Sequence, residues 1–115
     1  MRPLLLAVLT TGVLTYATDA SAADPGNYNA LGVGTGSCGS WTAARRNPYG
    51  LQTLANQQWV LGFLSGIGFM GAGVSNPLNG VDAEGVWAWI DSYCRDRPLD
   101  LIGRSAAAFS IAHPR

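Results

Sequence analysis

The sequence predicts an all-α protein, a small domain of three to four helices with one disulfide, preceded by a cleaved signal peptide. Residues 51–67 and 82–97 place apolar side chains at helical spacing, and a third helical segment follows Pro98. No segment alternates apolar and polar residues over the length of a strand. Cys38 and Cys94 are the only two cysteines, so just one intramolecular bridge can form.

The first residues have the pattern of a secretory signal. Arg2 supplies a positive charge, residues 4–13 are apolar, and Ala20-Ser21-Ala22 fits the small-x-small cleavage pattern. The apolar stretch is too short to cross a bilayer, although an uncleaved amino-terminal anchor is the alternative. We expect cleavage after Ala22 and a periplasmic or secreted protein.

Composition divides the rest of the chain into an arm and a domain. Residues 23–40 are rich in Gly, Asn and Ser and have no helical period, which predicts an irregular arm. Residues 41–115 carry the helical segments and form the predicted helical domain. Asn47-Pro48 separates a short helical turn from the first long helix.

The expected export of the protein determines the expected oxidation state of its two cysteines. An even pair in an oxidising compartment indicates a disulfide, here between Cys38 and Cys94, with two free thiols as the alternative. Closing so long a loop stabilises a domain by on the order of 4 kcal/mol in the chain-entropy model.

The central segment carries no charge between Arg46 and Asp82. It could be a membrane span, a buried core helix or a partner surface. Residues 59–74 are shorter than the ~20 apolar residues that a span needs, and glycines interrupt them. We therefore expect a core helix, and no stable membrane span in the mature chain.

Specific positions follow from that interpretation. Trp59 and Phe63 are expected to be buried, and Gly62 and Gly66 to face a neighbouring helix at close range. The helix is expected to end between residues 67 and 74. Its core-facing stripe is predicted to be Leu51, Leu54, Ala55, Gln58, Leu61 and Gly62.

Composition argues against several classes of ligand. The formal net charge is zero, Lys is absent, and the seven Arg cluster only at Arg45-Arg46, so we expect no nucleic-acid partner. Gly34, Gly36 and Gly39 have dinucleotide-fingerprint spacing but lack the flanking strand and helix that the fingerprint needs. We expect no cofactor.

Catalytic and metal sites are equally poorly supported. Cys38 as a nucleophile would need a paired His, and the only one, His113, lies near the carboxyl terminus. One His and two bridged cysteines cannot fill a zinc shell. A hydrolase with paired carboxylates is the remaining enzymatic alternative, but the acidic residues fall at helix starts or on a solvated side, where they act as caps and surface charges. They are Asp82, Glu84, Asp91, Asp96 and Asp100.

Aromatic residues are numerous for a domain of this size. The second long helix places an apolar arc of roughly 160° on one side, wider than one packing stripe needs. These aromatics either fill the core or leave the edges of the arc exposed as anchors for a partner. We take Trp87 and Trp89, together with Trp41, as the candidate partner-binding residues.

Short motifs in this order resemble a known group of proteins. They are Cys38-x-x-Trp41, the segment WVLGFLSG at residues 59–66, Tyr93-Cys94 with Pro98 beyond it, and an Ala-rich final helix. The chain thereby resembles the small exported HdeA-like acid-stress chaperones and the Tai-type immunity proteins, which neutralise amidases delivered by type VI secretion. The resemblance implies a helical, bridged and non-enzymatic protein, with no catalytic residue.

Together these observations predict an exported, non-catalytic protein-binding protein, whose partner is another protein or a second copy of itself. An immunity protein against a secreted cell-wall amidase is one specific form, with residues 68–81 as the candidate inhibitory loop. An HdeA-like periplasmic stress chaperone is the alternative. The chain has only seven carboxylates, whereas HdeA-like chaperones are highly charged and open on acid protonation.

Overall fold

The computed structural model describes residues 28–71 and 76–114, and within them every regular element is a helix. The elements are a 3-10 helix at Gly32–Thr35, α1 at Cys38–Arg45, α2 at Leu51–Met70, α3 at Ala83–Asp96 and α4 at Ile102–Ala112. The predicted all-α fold is confirmed. The signal peptide and its cleavage after Ala22 lie outside the described residues.

The predicted bridge is present and joins the first residue of α1 to the carboxyl-terminal half of α3. Cys38 and Cys94 are both buried, with an S–S distance of 2.06 Å. The Ser37 hydroxyl oxygen accepts from the Ser40 N–H at 3.1 Å and so caps α1. That cap starts the helix three residues before the predicted domain boundary at residue 41.

The core-facing side of α2 differs from the predicted one. Its buried residues are Thr53, Asn56, Val60 and Leu64, whereas most of the predicted stripe is exposed. The buried Thr53 hydroxyl has hydrogen-bond partners, because it donates to the Ala44 carbonyl at 2.5 Å and also contacts the Asn47 carbonyl at 2.8 Å. Two polar side chains therefore lie on the core side, and the helix turns an apolar side outward.

The glycines of α2 also behave differently from the prediction. Apart from the backbone and adjacent residues of α2 itself, no atom of the described residues lies within 4 Å of a Cβ placed on Gly62 or Gly66, so neither glycine faces a neighbouring helix. Trp59 and Phe63 are only partly buried and stack on each other with ring centroids 5.3 Å apart. The helix ends at Met70, within the predicted range of residues 67–74, and no helix among the described residues is long and apolar enough to cross a membrane.

The two carboxyl-terminal helices match their predicted positions. Asp82 Oδ1 accepts from the Gly85 N–H at 2.8 Å, which confirms the predicted cap of α3. Pro98 lies in the short connection to α4. Leu99 follows Pro98 at helical spacing from Ile102 but precedes α4, and it is 93% exposed. The buried residues of these helices include Val86, Ile90, Cys94, Ile102, Ala106 and Phe109.

The described part of the Gly-rich arm is ordered by contacts with the domain. Trp59 Nε1 donates to the Leu31 carbonyl at 2.9 Å, and the Cys38 N–H donates to the Asp100 carbonyl at 2.7 Å. Gly34 is buried, and a Cβ there would lie 2.2 Å from the Trp59 ring. Among residues 28–37 of the predicted irregular arm the 3-10 helix is the single regular element, residues 38–40 belong to α1, and residues 23–27 lie outside the described range.

Candidate functional site

Two of the three candidate tryptophans belong to the core. Trp41 is 0% and Trp87 4% exposed, and their rings pack 6.0 Å apart at a 48° angle. The Trp41 indole N–H donates to Asp91 Oδ1 at 2.7 Å. The expectation of exposure is wrong for Trp87, because α1 covers the edge of α3 on which it lies. Neither residue offers a surface to a partner.

Trp89 lies at the opposite edge of the arc and is half-buried. Its ring stacks with Tyr93 at 5.6 Å and meets the edge of Phe109 at 5.5 Å and of His113 at 5.9 Å. Phe109 and His113 themselves stack at 4.2 Å. The exposed part of Trp89 is thus held in place by ring contacts from both α3 and α4.

The rings of Trp89 and Tyr93 form one side of an open groove between α3 and α4, with a volume of about 510 Å³. Trp89 and Tyr93 supply its aromatic surface, and α4 supplies small and aliphatic side chains opposite. We call this the α3–α4 groove, lined by Trp89, Ser92, Tyr93, Asp96, Arg97, Ala108, Ile111 and Ala112. Its volume falls within the ~300–1,000 Å³ typical of ligand pockets, and its few polar groups lie on α3.

The hydrogen bonds behind Tyr93 fix one end of the groove. The Tyr93 hydroxyl donates to Asp100 Oδ2, and Arg104 forms an ion pair with Asp100 Oδ1 at 3.3 Å. Burial and this hydrogen bond raise the pKa of Tyr93 to about 12. Burial opposes ionisation of Asp100, but donors from Tyr93, the Leu101 N–H and Arg104 outweigh it and lower the pKa of that carboxyl.

Among the described residues that line the groove, the charged ones are two exposed neighbours, Asp96 and Arg97. The Arg97 guanidinium carbon lies 4.4 Å from the centre of the Tyr93 ring, a cation–π contact. Trp89 and Tyr93 on α3 and Arg97 just beyond its end therefore form a continuous row, spaced four residues apart. These contacts restrict the side chains before a partner binds, which lowers the entropy cost of using them as anchors.

The geometry of the acidic residues gives no support to a paired-carboxylate site. Asp91 accepts from Trp41 and Arg45, Asp82 caps α3, and Asp100 accepts from Tyr93. Within residues 28–71 and 76–114, no three His, Cys, Asp or Glu side chains are arranged to hold a metal ion. The acidic side chains of α3 and α4 that make these contacts stabilise the fold.

Sequence reasoning missed the α4 side of the groove. The sequence analysis predicts no role for Ala108, Ile111 or Ala112, although Ile111 is 45% exposed. Their spacing of three and four residues on the side away from the buried Ala106 was the available signal. It is weak, because alanines occur equally well on a solvated helix face.

Comparison with known proteins identifies no relative: no family model, curated protein or solved structure matches the chain. The resemblance to HdeA-like and Tai-type proteins therefore stays a prediction.

Proposed function

We propose that this chain is an exported, non-catalytic protein-binding protein and that the α3–α4 groove is its binding surface. The observation that carries the proposal is the row formed by Trp89, Tyr93 and Arg97 beside an open groove with small residues opposite. Tyr, Trp and Arg are the residues most enriched among the anchors of protein interfaces. The buried disulfide supports export, since such bridges persist in oxidising compartments.

The chemistry of the groove favours apolar recognition. Its two charges are adjacent and of opposite sign, so they give no net attraction for a charged partner. Affinity should rest on apolar side chains of the partner that enter between Trp89 and the alanines of α4, and should depend weakly on salt. Inhibition of a secreted cell-wall amidase is the specific form that the resemblance suggests.

A pull-down of periplasmic proteins, followed by affinity measurement with the recovered partner, tests the proposal. We expect Trp89→Ala to weaken binding by about 2 kcal/mol or more, which is roughly thirtyfold. Ala112→Arg fills the groove without removing a buried side chain and should weaken binding similarly. Ala88→Arg, the same change at an exposed position of α3 outside the groove, is the matched control and should bind normally.

The alternative function is that of a stress chaperone, favoured by the large apolar side chains exposed elsewhere on the domain, such as Phe69 at 86%. A chaperone would suppress aggregation of many unfolded proteins at low pH and bind no single folded partner. That result, or tight binding that both groove variants leave unchanged, would overturn the proposal.

A further inference from the structure

A second surface, on α2, has properties that the groove does not explain. This 20-residue helix carries no charged side chain, and from Trp59 onward it is apolar on nearly all sides, which is typical of a helix covered all round. The described residues cover one side only. Leu51 and Phe69 are each 86% exposed, and Met70 is 81% exposed.

The outward residues of α2 follow a coiled-coil spacing. Six exposed positions alternate at intervals of four and three residues and lie within an arc of about 80° on the helix. This α2 seam consists of Leu51, Ala55, Gln58, Gly62, Ser65 and Phe69. Its large side chains are at the two ends and its smallest residues are in the second half, where open space surrounds Gly62.

We propose that the α2 seam is the interface of an antiparallel homodimer. A two-fold axis at the middle of the helix places Leu51 of each copy opposite Phe69 of the other, and Ala55 opposite Ser65. The longest central side chain, Gln58, then lies opposite Gly62, which leaves room for it. The large residues meet at both ends and the helices approach closely between them, so one surface complements itself as a two-fold interface requires.

The absence of charge on the α2 seam and the area it can bury both favour a second copy of this chain as the partner. A surface without charges has no electrostatic means of selecting a different protein, whereas it meets an identical surface without repulsion. The four exposed large side chains of α2 are Leu51 and Phe69 in the seam and Leu54 and Met70 on its flanks. At roughly 60–120 Å² each, two copies that cover all four remove roughly 500–1,000 Å² from water. Backbone and small residues bring the total near the ~1,000 Å² lower limit for a specific interface, which predicts a weak dimer.

Analytical ultracentrifugation of the purified protein across the micromolar to millimolar range tests this inference. We expect a reversible monomer–dimer equilibrium that Ala55→Arg abolishes and Ala88→Arg, the same change on the outer side of α3, leaves intact. Both variants should retain the melting temperature of the monomer, because both positions are exposed. A protein that stays monomeric throughout, or a dimer that Ala55→Arg does not disturb, would overturn the proposal.

Thiol cross-linking tests the direction of pairing. With a short bifunctional reagent, a mixture of Gln58→Cys and Gly62→Cys variants should give cross-linked dimer, and Gln58→Cys alone should give little. Efficient cross-linking of Gln58→Cys to itself would indicate parallel helices and contradict the proposed register. If the protein instead floats with neutral phospholipid vesicles, and Ala55→Arg prevents this while no dimer forms, the seam meets a lipid surface and the dimer is excluded.

The inference does not rest on the proposed function, since the α2 seam and the α3–α4 groove have no residue in common. Ala112→Arg should leave the dimer intact, and Ala55→Arg should leave partner binding by the groove intact. Each proposal can therefore fail while the other holds.

Discussion

The indole N–H of Trp41 donates a 2.7 Å hydrogen bond to Asp91 Oδ1, and Arg45 donates to both oxygens of the same carboxylate, at 2.9 Å from Nη2 and 3.0 Å from Nε. One side chain of α3 thereby satisfies a buried donor of α1 and fixes the position of α1 against the core. This contact also keeps Trp41 and Trp87 out of reach of any partner.

Replacing Asp91 should destabilise the fold. We expect Asp91→Ala to lower the free energy of unfolding by about 2–3 kcal/mol, because it removes charge-assisted hydrogen bonds and leaves a buried indole N–H without an acceptor. Urea denaturation followed by tryptophan fluorescence would measure it. Asp96→Ala, an exposed carboxylate on the same helix, should cost under ~0.5 kcal/mol; equal losses in both variants would contradict this account.

Reduction of the bridge should lower stability markedly. Cys38 and Cys94 are 56 residues apart, so opening the bridge releases a long loop and costs on the order of 4 kcal/mol in the chain-entropy model. The native protein should show no alkylatable thiol by mass spectrometry, and reductant should lower its melting temperature. A variant with both cysteines replaced by Ala is the control, since reductant should not affect it.

Two glycine variants should act in opposite directions. A Cβ at Gly34 would lie 2.2 Å from the Trp59 ring, so Gly34→Ala should displace residues 31–35 and lower stability by about 1–3 kcal/mol. Gly66 faces open space inside a helix, so Gly66→Ala should stabilise by up to ~1 kcal/mol. Both are measured by denaturation at low protein concentration, where self-association is negligible. Stabilisation by Gly34→Ala would show that this contact does not constrain the backbone.

The Tyr93–Asp100 hydrogen bond should give a distinct alkaline titration. The pKa of Tyr93 is raised from 10.0 to about 12, so the neutral phenol stabilises the fold fully below pH 10 and this contribution is lost as pH rises through 12. Ultraviolet titration should show one phenol ionising near 12, and Tyr93→Phe should remove that step. The step's persistence in Tyr93→Phe would assign it to another tyrosine.

Low pH should also weaken the Tyr93–Asp100 hydrogen bond, in this case by protonating the carboxylate. The pKa of Asp100 is lowered, so the ionised carboxylate stabilises the folded state above its ordinary pKa of 3.8, and this contribution is lost as pH falls through the lowered value. Acid denaturation of Asp100→Asn should therefore begin from a lower stability but show a smaller loss below pH 4 than that of the native protein.

The sequence predicted α3 better than α2, and the reason lies in their polar residues. Asp91 and Arg95 mark one side of α3, so the buried positions of Val86 and Ile90 follow from periodicity alone. In α2 apolar residues occur on every side, and the buried side includes Thr53, whose hydroxyl contacts carbonyls of α1 and of the connection that follows it. A tertiary contact of that kind leaves no periodic signal.

The candidate site was predicted only in part for a similar reason. Trp87 and Trp89 lie at opposite edges of one apolar arc, and periodicity gives them equal weight. Only the position of α1, which the Cys38–Cys94 bridge and Asp91 determine together, decides which edge is covered. The α4 side of the groove depends on how two helices pair, which a single sequence does not specify.

The bridge also divides the domain into a closed ring and a tail. The ring runs from residue 38 to residue 94 and contains α1, α2 and most of α3, whereas α4 lies beyond it and is held by packing and hydrogen bonds alone. Partial unwinding of α4 would therefore expose more of Trp89, and the core position that Phe109 fills, without breaking a covalent bond. One wall of the groove is therefore joined to α1 by a covalent bond, whereas the other depends on packing and hydrogen bonds for its position.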